Sequence, residues 1–285
     1  MGPEPRDVSR IDLHTHTSAS DGTLTPEELV RTAAALGLEF LGIADHDTTD
    51  GLTPAISEAE QFPDLTIIPA VELSATSERG GAFHLLGYCI APDAPGLQGA
   101  LEDFRRTRDV RVEQIVARLR EHGSAITLDQ VMDKAAGGAV SRAHIGRVLV
   151  DLEEAESIDA AFSSWLGRNR PAFVPREPLF AEDAVRLIRD AGGVSVLAHP
   201  LTMGDYRRQL PELIDAGLRG IEAYYGPYTD EERSRLLDIA TRNGLIVTGG
   251  SDYHGPEQRE GRELGGVAVP ESVLDELQRL APGCL

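Results

Sequence analysis

The stretch Ser9-Arg-Ile-Asp-Leu-His-Thr-His-Thr17 decides how this chain is read. It is a short apolar strand that stops at two histidines. Side chains two apart on extended backbone point to the same side, so His14 and His16 can grip one metal ion from one strand end. Working outward, other apolar runs carry donors at comparable positions. His46 lies in Ala44-Asp-His-Asp47, and Glu72 follows Ile68-Pro-Ala-Val71. His84 belongs to the run 83–90, and His199 follows Val196-Leu-Ala198. Asp252 and His254 sit in Gly249-Gly-Ser-Asp-Tyr-His254, and Asp21 comes soon after the first pair. A single His at a strand end is more often a hydrogen-bonded structural residue. Six of the eight histidines falling together with Asp21, Glu72 and Asp252 point instead to a multinuclear site of two to three divalent ions. The donors mix imidazole and carboxylate without thiolate, which suits Zn, Mn or Fe and leaves the choice among them open.

Seven runs read as strands: 9–13, 40–44, 65–70, 83–90, 194–198, 220–224 and 245–248. Helical patterns separate most of them, at 51–61, 181–191, 206–216, 230–243 and 271–280. Thr25-Pro26-Glu27-Glu28 opens a further helix, with an N-cap, a proline at N1 and acids in the first turn. Strands alternating with helices imply a parallel sheet, and about seven units imply a closed or nearly closed barrel. In such barrels chemistry collects at the C-terminal strand ends, so the donors should converge. Residues 97–170 break the alternation. Phe104, Val112, Ile115, Val116 and Leu119 share one helical face, ringed by Arg105, Arg106, Arg108 and Arg111. Helical patches follow at 127–136, 142–153 and 157–167. The expected class is therefore α/β: a barrel of residues 8–96 and 171–285, with an all-helical insertion at 97–170.

Composition narrows the function. The net charge of −20 argues against broad electrostatic adhesion to nucleic acid. It is uneven, however. Residues 98–170 hold 11 basic and 12 acidic side chains against 16 and 35 elsewhere, so a local anion site in that segment stays open. The polar stretch Met1–Arg10 has no signal-peptide core, and there is no apolar run of transmembrane length. Cys89 lies in an apolar strand and Cys284 at the chain end, so a disulfide framework is not expected, and a cytoplasmic location is. His122 ends a helix before Gly123 and reads as its cap. Glu222 reads either as a carboxylate supporting a ligand or as an exposed strand end. Asp45 or Asp47, flanking His46, is a candidate to orient an imidazole.

Five ordered motifs together resemble the polymerase and histidinol phosphatase (PHP) family of metal-dependent phosphoesterases. They are Asp12-Leu-His-Thr-His-Thr17, Gly42-Ile-Ala-Asp-His-Asp47, Pro69-Ala-Val-Glu72, Ala198-His-Pro200 and Gly250-Ser-Asp-Tyr-His254. The resemblance covers nearly the whole chain and implies a distorted seven-stranded β/α (TIM-like) barrel with a trinuclear site. It implies one metal on His14, His16, Glu72 and Asp252, a second on Glu72, His84 and His199, and a third on Asp21, His46 and His254. Many members have His where this chain has Asp21, a departure that falls on the third site. Ser141-Arg-Ala-His-Ile-Gly-Arg147 and Arg170-Pro-Ala-Phe-Val-Pro175 resemble the TrpH-like branch, which includes 3′,5′-nucleoside bisphosphate phosphatases and a 5′→3′ exonuclease. By that resemblance Ser141, Arg142 and His144 meet the substrate phosphate, with Arg142 and His144 also serving catalysis. The alternative for the last two is a solvated helix charge and a helix-packing histidine.

The expected activity is hydrolysis of a phosphate from a nucleotide, with 3′,5′-nucleoside bisphosphates giving 5′-nucleotides. Its partner is a small phosphorylated nucleotide or a short oligonucleotide end; neither a membrane nor an obligate protein partner is expected. The competing readings are a 5′→3′ exonuclease on short RNA or DNA ends, a histidinol phosphatase, a Glu-bridged amidohydrolase and a metal-stabilised module without catalysis. The lysine-bridged amidohydrolase pattern is excluded, because the sole lysine, Lys134, lies in the helical insertion.

Overall fold

The computed structural model describes residues 9–77, 81–135, 138–175, 179–203, 205–256 and 261–284. Met1 to Val8 of the polar N-terminal stretch lie outside them. Seven strands form one sheet in sequential order: β1 (Ile11–Thr15), β2 (Phe40–Ile43), β3 (Thr66–Thr76), β4 (Ala82–Tyr88), β5 (Val194–Leu197), β6 (Gly220–Tyr225) and β7 (Ile246–Gly250). A parallel bridge from Thr15 to Tyr253 nearly closes it into a barrel. The distortion comes from β4, which runs antiparallel to both β3 and β5. The expectation of a wholly parallel sheet fails there. Only residues 77–81 join Thr76 to Ala82, too few for the crossover that parallel neighbours need.

Helices α1 (Pro26–Leu36) and α2 (Leu52–Ala59) follow β1 and β2. Four more, α7 (Ala181–Asp190), α8 (Tyr206–Ala216), α9 (Asp230–Asn243) and α10 (Ser272–Leu280), accompany β5 to β7. The start signal at Thr25 is a full capping box with Glu28, and Gly37 ends α1 at φ 81°. Alternate strand residues feed two apolar clusters. Ile11, Leu13, Val194 and Val196 pack with Val273, Leu274 and Leu277 of α10. Leu197 and Ile221 pack with Leu29 and Val30 of α1, Ile188 of α7 and Leu213 of α8.

Between β4 and β5 come α3 (Pro95–Glu121), α4 (Leu128–Ala135), α5 (Arg142–Asp151), the short α6 (Ile158–Ala161) and a π-helical turn, Phe162–Leu166. A third cluster joins Val112, Ile115 and Val116 with Val131, Ile145, Leu149 and Leu166. Leu97 and Leu101, at the start of α3, belong instead to the barrel cluster. One continuous helix thus ties the helical segment to the barrel. His122 caps α3, its amide donating to the Arg118 carbonyl.

Gly250 at the end of β7 lies against β1. A Cβ there would come within 2.4 Å of the His14 amide nitrogen and 2.5 Å of its Cβ. Gly250→Ala should therefore push β7 off β1 at the seam, lowering stability by about 1–3 kcal/mol as overpacking does and weakening metal retention through His14. A variant with wild-type melting temperature and metal content would show that the seam yields freely.

Cys89 and Cys284 form a disulfide, with Cα atoms 5.1 Å apart, contrary to the expectation that they stay apart. Sequence distance misled here. Beyond α10 the chain folds back so that Ala281 and Cys284 pack against the same cluster that Cys89 flanks. Among the described residues, no helix is long and apolar enough to cross a membrane.

Candidate metal and phosphate site

The nine donors named from sequence converge on one end of the barrel, and Glu72 lies among them, fully buried. Its Oε2 is 3.2 Å from His14 Nε2, 3.3 Å from His16 Nε2 and 3.2 Å from His46 Nδ1. Its Oε1 is 2.9 Å from His84 Nδ1 and 3.0 Å from His199 Nε2. One carboxylate therefore faces two sets of imidazoles with its two oxygens. Glu72 does not end its strand: β3 continues to Thr76. His84 is near the start of β4, not the end of a strand. It reaches the site because β4 is reversed, which puts its N-terminal end beside the C-terminal ends of the others.

Among the described residues, three groups of donor atoms are compact enough to hold an ion: His14, His16, Glu72 and Asp252; His46, Glu72 and His84; and His16, Asp21, His46 and His254. The first is the set named from sequence. In the second His46 joins Glu72 and His84, while His199 reaches Glu72 Oε1. In the third His16 joins Asp21, His46 and His254, with His254 Nε2 3.3 Å from Asp21 Oδ1.

The residues fit metal. Two donors each about 2.1 Å from one ion sit about 3.0–3.4 Å apart at right or tetrahedral angles, the spacing seen here. Among the described residues, both ring nitrogens of His16, His46 Nδ1 and Asp21 Oδ1 are buried without a well-formed hydrogen bond, a cost that coordination would remove. Burial would lower the pKa of His14 and His16, yet Glu222, Glu72 and Asp252 pull His14 well above its usual value, and Asp252 and Glu72 raise His16 to about 9. The carboxylates thus create a strong local demand for positive charge.

Supporting groups fix the rings. His14 Nδ1–H donates to Glu222 Oε1 at 3.0 Å, leaving Nε2 to face Glu72. Glu222 is fully buried on β6, and its Oε2 also accepts the His199 amide at 2.8 Å. That bond holds His199 at φ 23°, a costly backbone conformation for a non-glycine residue. Of the two readings of Glu222, support of the ligands is the one the geometry gives. The Thr202 hydroxyl donates to the His199 carbonyl and accepts from His199 Nδ1–H, turning Nε2 towards Glu72. Asp45 instead accepts from the Thr17 amide and hydroxyl and from Ser20, holding the loop that carries Asp21. Asp47 accepts from Ser74 and from Arg108 of α3. Asp12 accepts from Ser251, Gly265 and the His14 amide, tying the first motif to the last.

Two cavities open beside these donors. One of about 520 Å³ is lined by Asp21, His46 and His84 and by Arg108, Arg111, Arg142 and Arg168. The other, about 1010 Å³, is lined by Asp21, His254, His144, Arg147 and Arg262. Asp21, Ala143 and Phe162 border both. The N-terminus of α5 therefore stands between them, with Arg142 on one side and His144 on the other. Arg142 lies 5.2 Å from the Phe162 ring centre. Ser141 caps α5, accepting from the Ala143 amide and donating its own amide proton to His144 Nδ1. Nδ1 is thus an acceptor, and the His144 proton sits on Nε2. Burial and the nearby Arg147 and Arg108 lower its pKa to about 4, so it stays neutral near pH 7.

Arg108, Arg168, Phe162, Tyr225 and Arg262 escaped the sequence reading as site residues. None lies in a motif, and Arg262 sits in irregular chain with no periodicity to mark it.

Residues 12–137 match the PHP domain family. The 3′,5′-nucleoside bisphosphate phosphatase of Chromobacterium violaceum is 34% identical over 263 residues, covering 90% of this chain and 91% of that protein. The chain belongs to the PHP family. It is a metal-dependent phosphoesterase. The 5′-3′ exoribonuclease Rnm of Escherichia coli is also 34% identical, over 86% of this chain and 85% of its own length. A crystal structure from Bifidobacterium adolescentis, described as a metal-dependent phosphoesterase, superposes with a TM-score of 0.86 at 31% identity, covering 98% of both chains. In this PHP protein the antiparallel β4 supplies His84, and the helical segment between β4 and β5 supplies the arginines that line the smaller cavity.

Proposed function

We propose that this PHP protein removes the 3′-phosphate from 3′,5′-nucleoside bisphosphates, leaving a 5′-nucleotide. The observation that carries this reading is the smaller cavity, where four arginines line the same space as Asp21, His46 and His84. A substrate with two phosphates needs one anion at the donor cluster and a cationic wall for the other. Similarity to the Chromobacterium violaceum phosphatase supports the choice, and the cavity's size favours a small molecule over a long strand.

His14, His16, Asp21, His46, Glu72, His84, His199, Asp252 and His254 would hold two to three divalent ions, with Mn, Zn or Fe matching the donors. Bound there, the ions would supply Lewis acidity and a water acidified for attack on phosphorus. Arg142, with Ser141 at the same helix start, would receive phosphoryl oxygens; its planar fork suits bidentate phosphate binding. His144 would present Nε2–H as a neutral donor towards the leaving oxygen. Residues 97–170, with their own apolar cluster, would act as the substrate-capping unit on the barrel of 8–96 and 171–285. A cytoplasmic location would go with a nucleotide substrate.

Arg142→Ala should raise KM for the bisphosphate about 10- to 100-fold, the worth of one charged hydrogen bond, with metal content unchanged. Unaltered kinetics would remove Arg142 from the site. The activity itself is tested by loading the protein with Mn²⁺ or Zn²⁺ and offering 3′-phosphoadenosine 5′-phosphate, 5′-phosphorylated short RNA, AMP and histidinol phosphate. Inorganic phosphate from the bisphosphate, with AMP left intact, is the expected result. Stepwise mononucleotides from RNA as the faster reaction would make it an exonuclease, and a preference for histidinol phosphate would overturn the nucleotide reading.

A further inference from the structure

Asp252 is held in an unusual way. It follows β7 at φ 55°, and its amide donates to the His14 carbonyl at 2.8 Å. Its Oδ1 faces the donor cluster, 3.2 Å from His16 Nε2, 3.6 Å from His14 Nε2 and 3.5 Å from His254 Nδ1. Its Oδ2 faces away from those rings and receives two donors. The Tyr225 hydroxyl donates to it at 3.0 Å, and Arg262 Nη1 lies 2.8 Å from it. The three groups close on themselves. Arg262 Nη2 donates to the Tyr225 hydroxyl, and the guanidinium lies 5.5 Å from the Tyr225 ring centre. Tyr225 is fully buried at the end of β6, and its ring also packs against His199 at 5.6 Å.

A carboxylate can bind a cation through one oxygen or two. Here one oxygen is engaged by a hydroxyl and a charged guanidinium, the stronger class of hydrogen bond. Swinging Oδ2 towards the cluster would break both bonds and leave Arg262 partly buried without its anion. We propose that Arg262 and Tyr225 form a positioning clamp on Asp252, presenting Oδ1 alone to a metal at His14 and His16. The clamp sets the plane and the number of oxygens that Asp252 offers. Arginine is needed because its fork reaches Asp252 with one terminal nitrogen and Tyr225 with the other; a lysine ammonium has no such planar pair. The proposal rests on Asp252 being a metal ligand.

The test is titration of the metal-stripped full-length protein with Mn²⁺ by calorimetry, without substrate, followed by steady-state kinetics. Arg262→Ala should weaken one Mn²⁺ site about 10- to 100-fold, the usual effect of losing a partner that orients a ligand. Arg262→Lys should recover little of that loss. Tyr225→Phe keeps the ring and removes one donor, so a several-fold weakening is expected at the same site. In each variant kcat should fall with KM unchanged. Wild-type isotherms for both Arg262→Ala and Tyr225→Phe would overturn the clamp. So would an unchanged isotherm with a raised KM, which would make Arg262 a substrate contact in the larger cavity that it lines. Should Arg262→Ala lose its cooperative melt, Tyr225→Phe decides alone. Asp252→Asn separates the layers. If it binds Mn²⁺ as wild type, the ligand assignment fails and the clamp with it. If it loses the site while Arg262→Ala and Tyr225→Phe keep theirs, only the clamp fails.

Discussion

Glu72→Gln should lower kcat/KM by about three orders of magnitude or more, the scale on which losing one preorganised charge in a polar active site is felt, and should remove at least one equivalent of metal. The two carboxylate oxygens of Glu72 face His14, His16 and His46 on one side and His84 and His199 on the other. Although burial would raise its pKa, the neighbouring His46, His84 and His14 hold it well below the usual carboxylate range. An amide of the same shape keeps the volume but removes the negative charge, and one of its two arms can only donate. It cannot serve cations on both sides at once. Metal content by elemental analysis and kcat/KM with the bisphosphate check this together. A Gln variant that kept its full metal complement and a tenth of its activity would remove Glu72 from the proposed ligand set.

Opening the Cys89–Cys284 bond should lower the melting temperature by about 10 °C or more. The bond joins residues 195 apart in sequence. The chain-entropy account assigns a loop of that length about 5 kcal/mol of stabilisation, through the unfolded state. A protein of this size loses roughly 2–4 °C per kcal/mol. Cys89→Ser and the wild type under reductant should melt together, below the oxidised wild type. Because Cys89 flanks the cluster beneath α10 rather than the donor end, metal content should be unaffected. Melting curves that coincide with and without reductant, or two titratable thiols in native oxidised protein, would remove the bond as a stabilising element.

Much of the donor end of the barrel was legible in the sequence. The reason is local: His14 and His16 share a strand face by the two-residue period of extended chain, and Asp252 and His254 come within one short loop. Most strand and helix boundaries followed from apolar period and capping, as at Thr25 and Glu28, but β3 runs past the 65–70 read from sequence to Thr76 and carries Glu72 within it. The nine donors could be named because motifs are contiguous stretches of chain. The direction of β4 was not legible as read, although the five residues between Thr76 and Ala82 carried the signal.

What the sequence by itself determined was the inventory: which side chains are donors, how many strands carry them, and that a helical segment interrupts the barrel. What only the tertiary structure decided was which atoms meet. Glu222 became a support for His14 and His199 only because β6 lies beside β5, with its carboxylate buried beneath the cluster. Arg262 found Asp252, and Cys284 found Cys89, across contacts that no spacing or periodicity encodes. Such pairings depend on the closure of the barrel, where strands distant in sequence become neighbours and a few ångströms determine whether a charge is partnered.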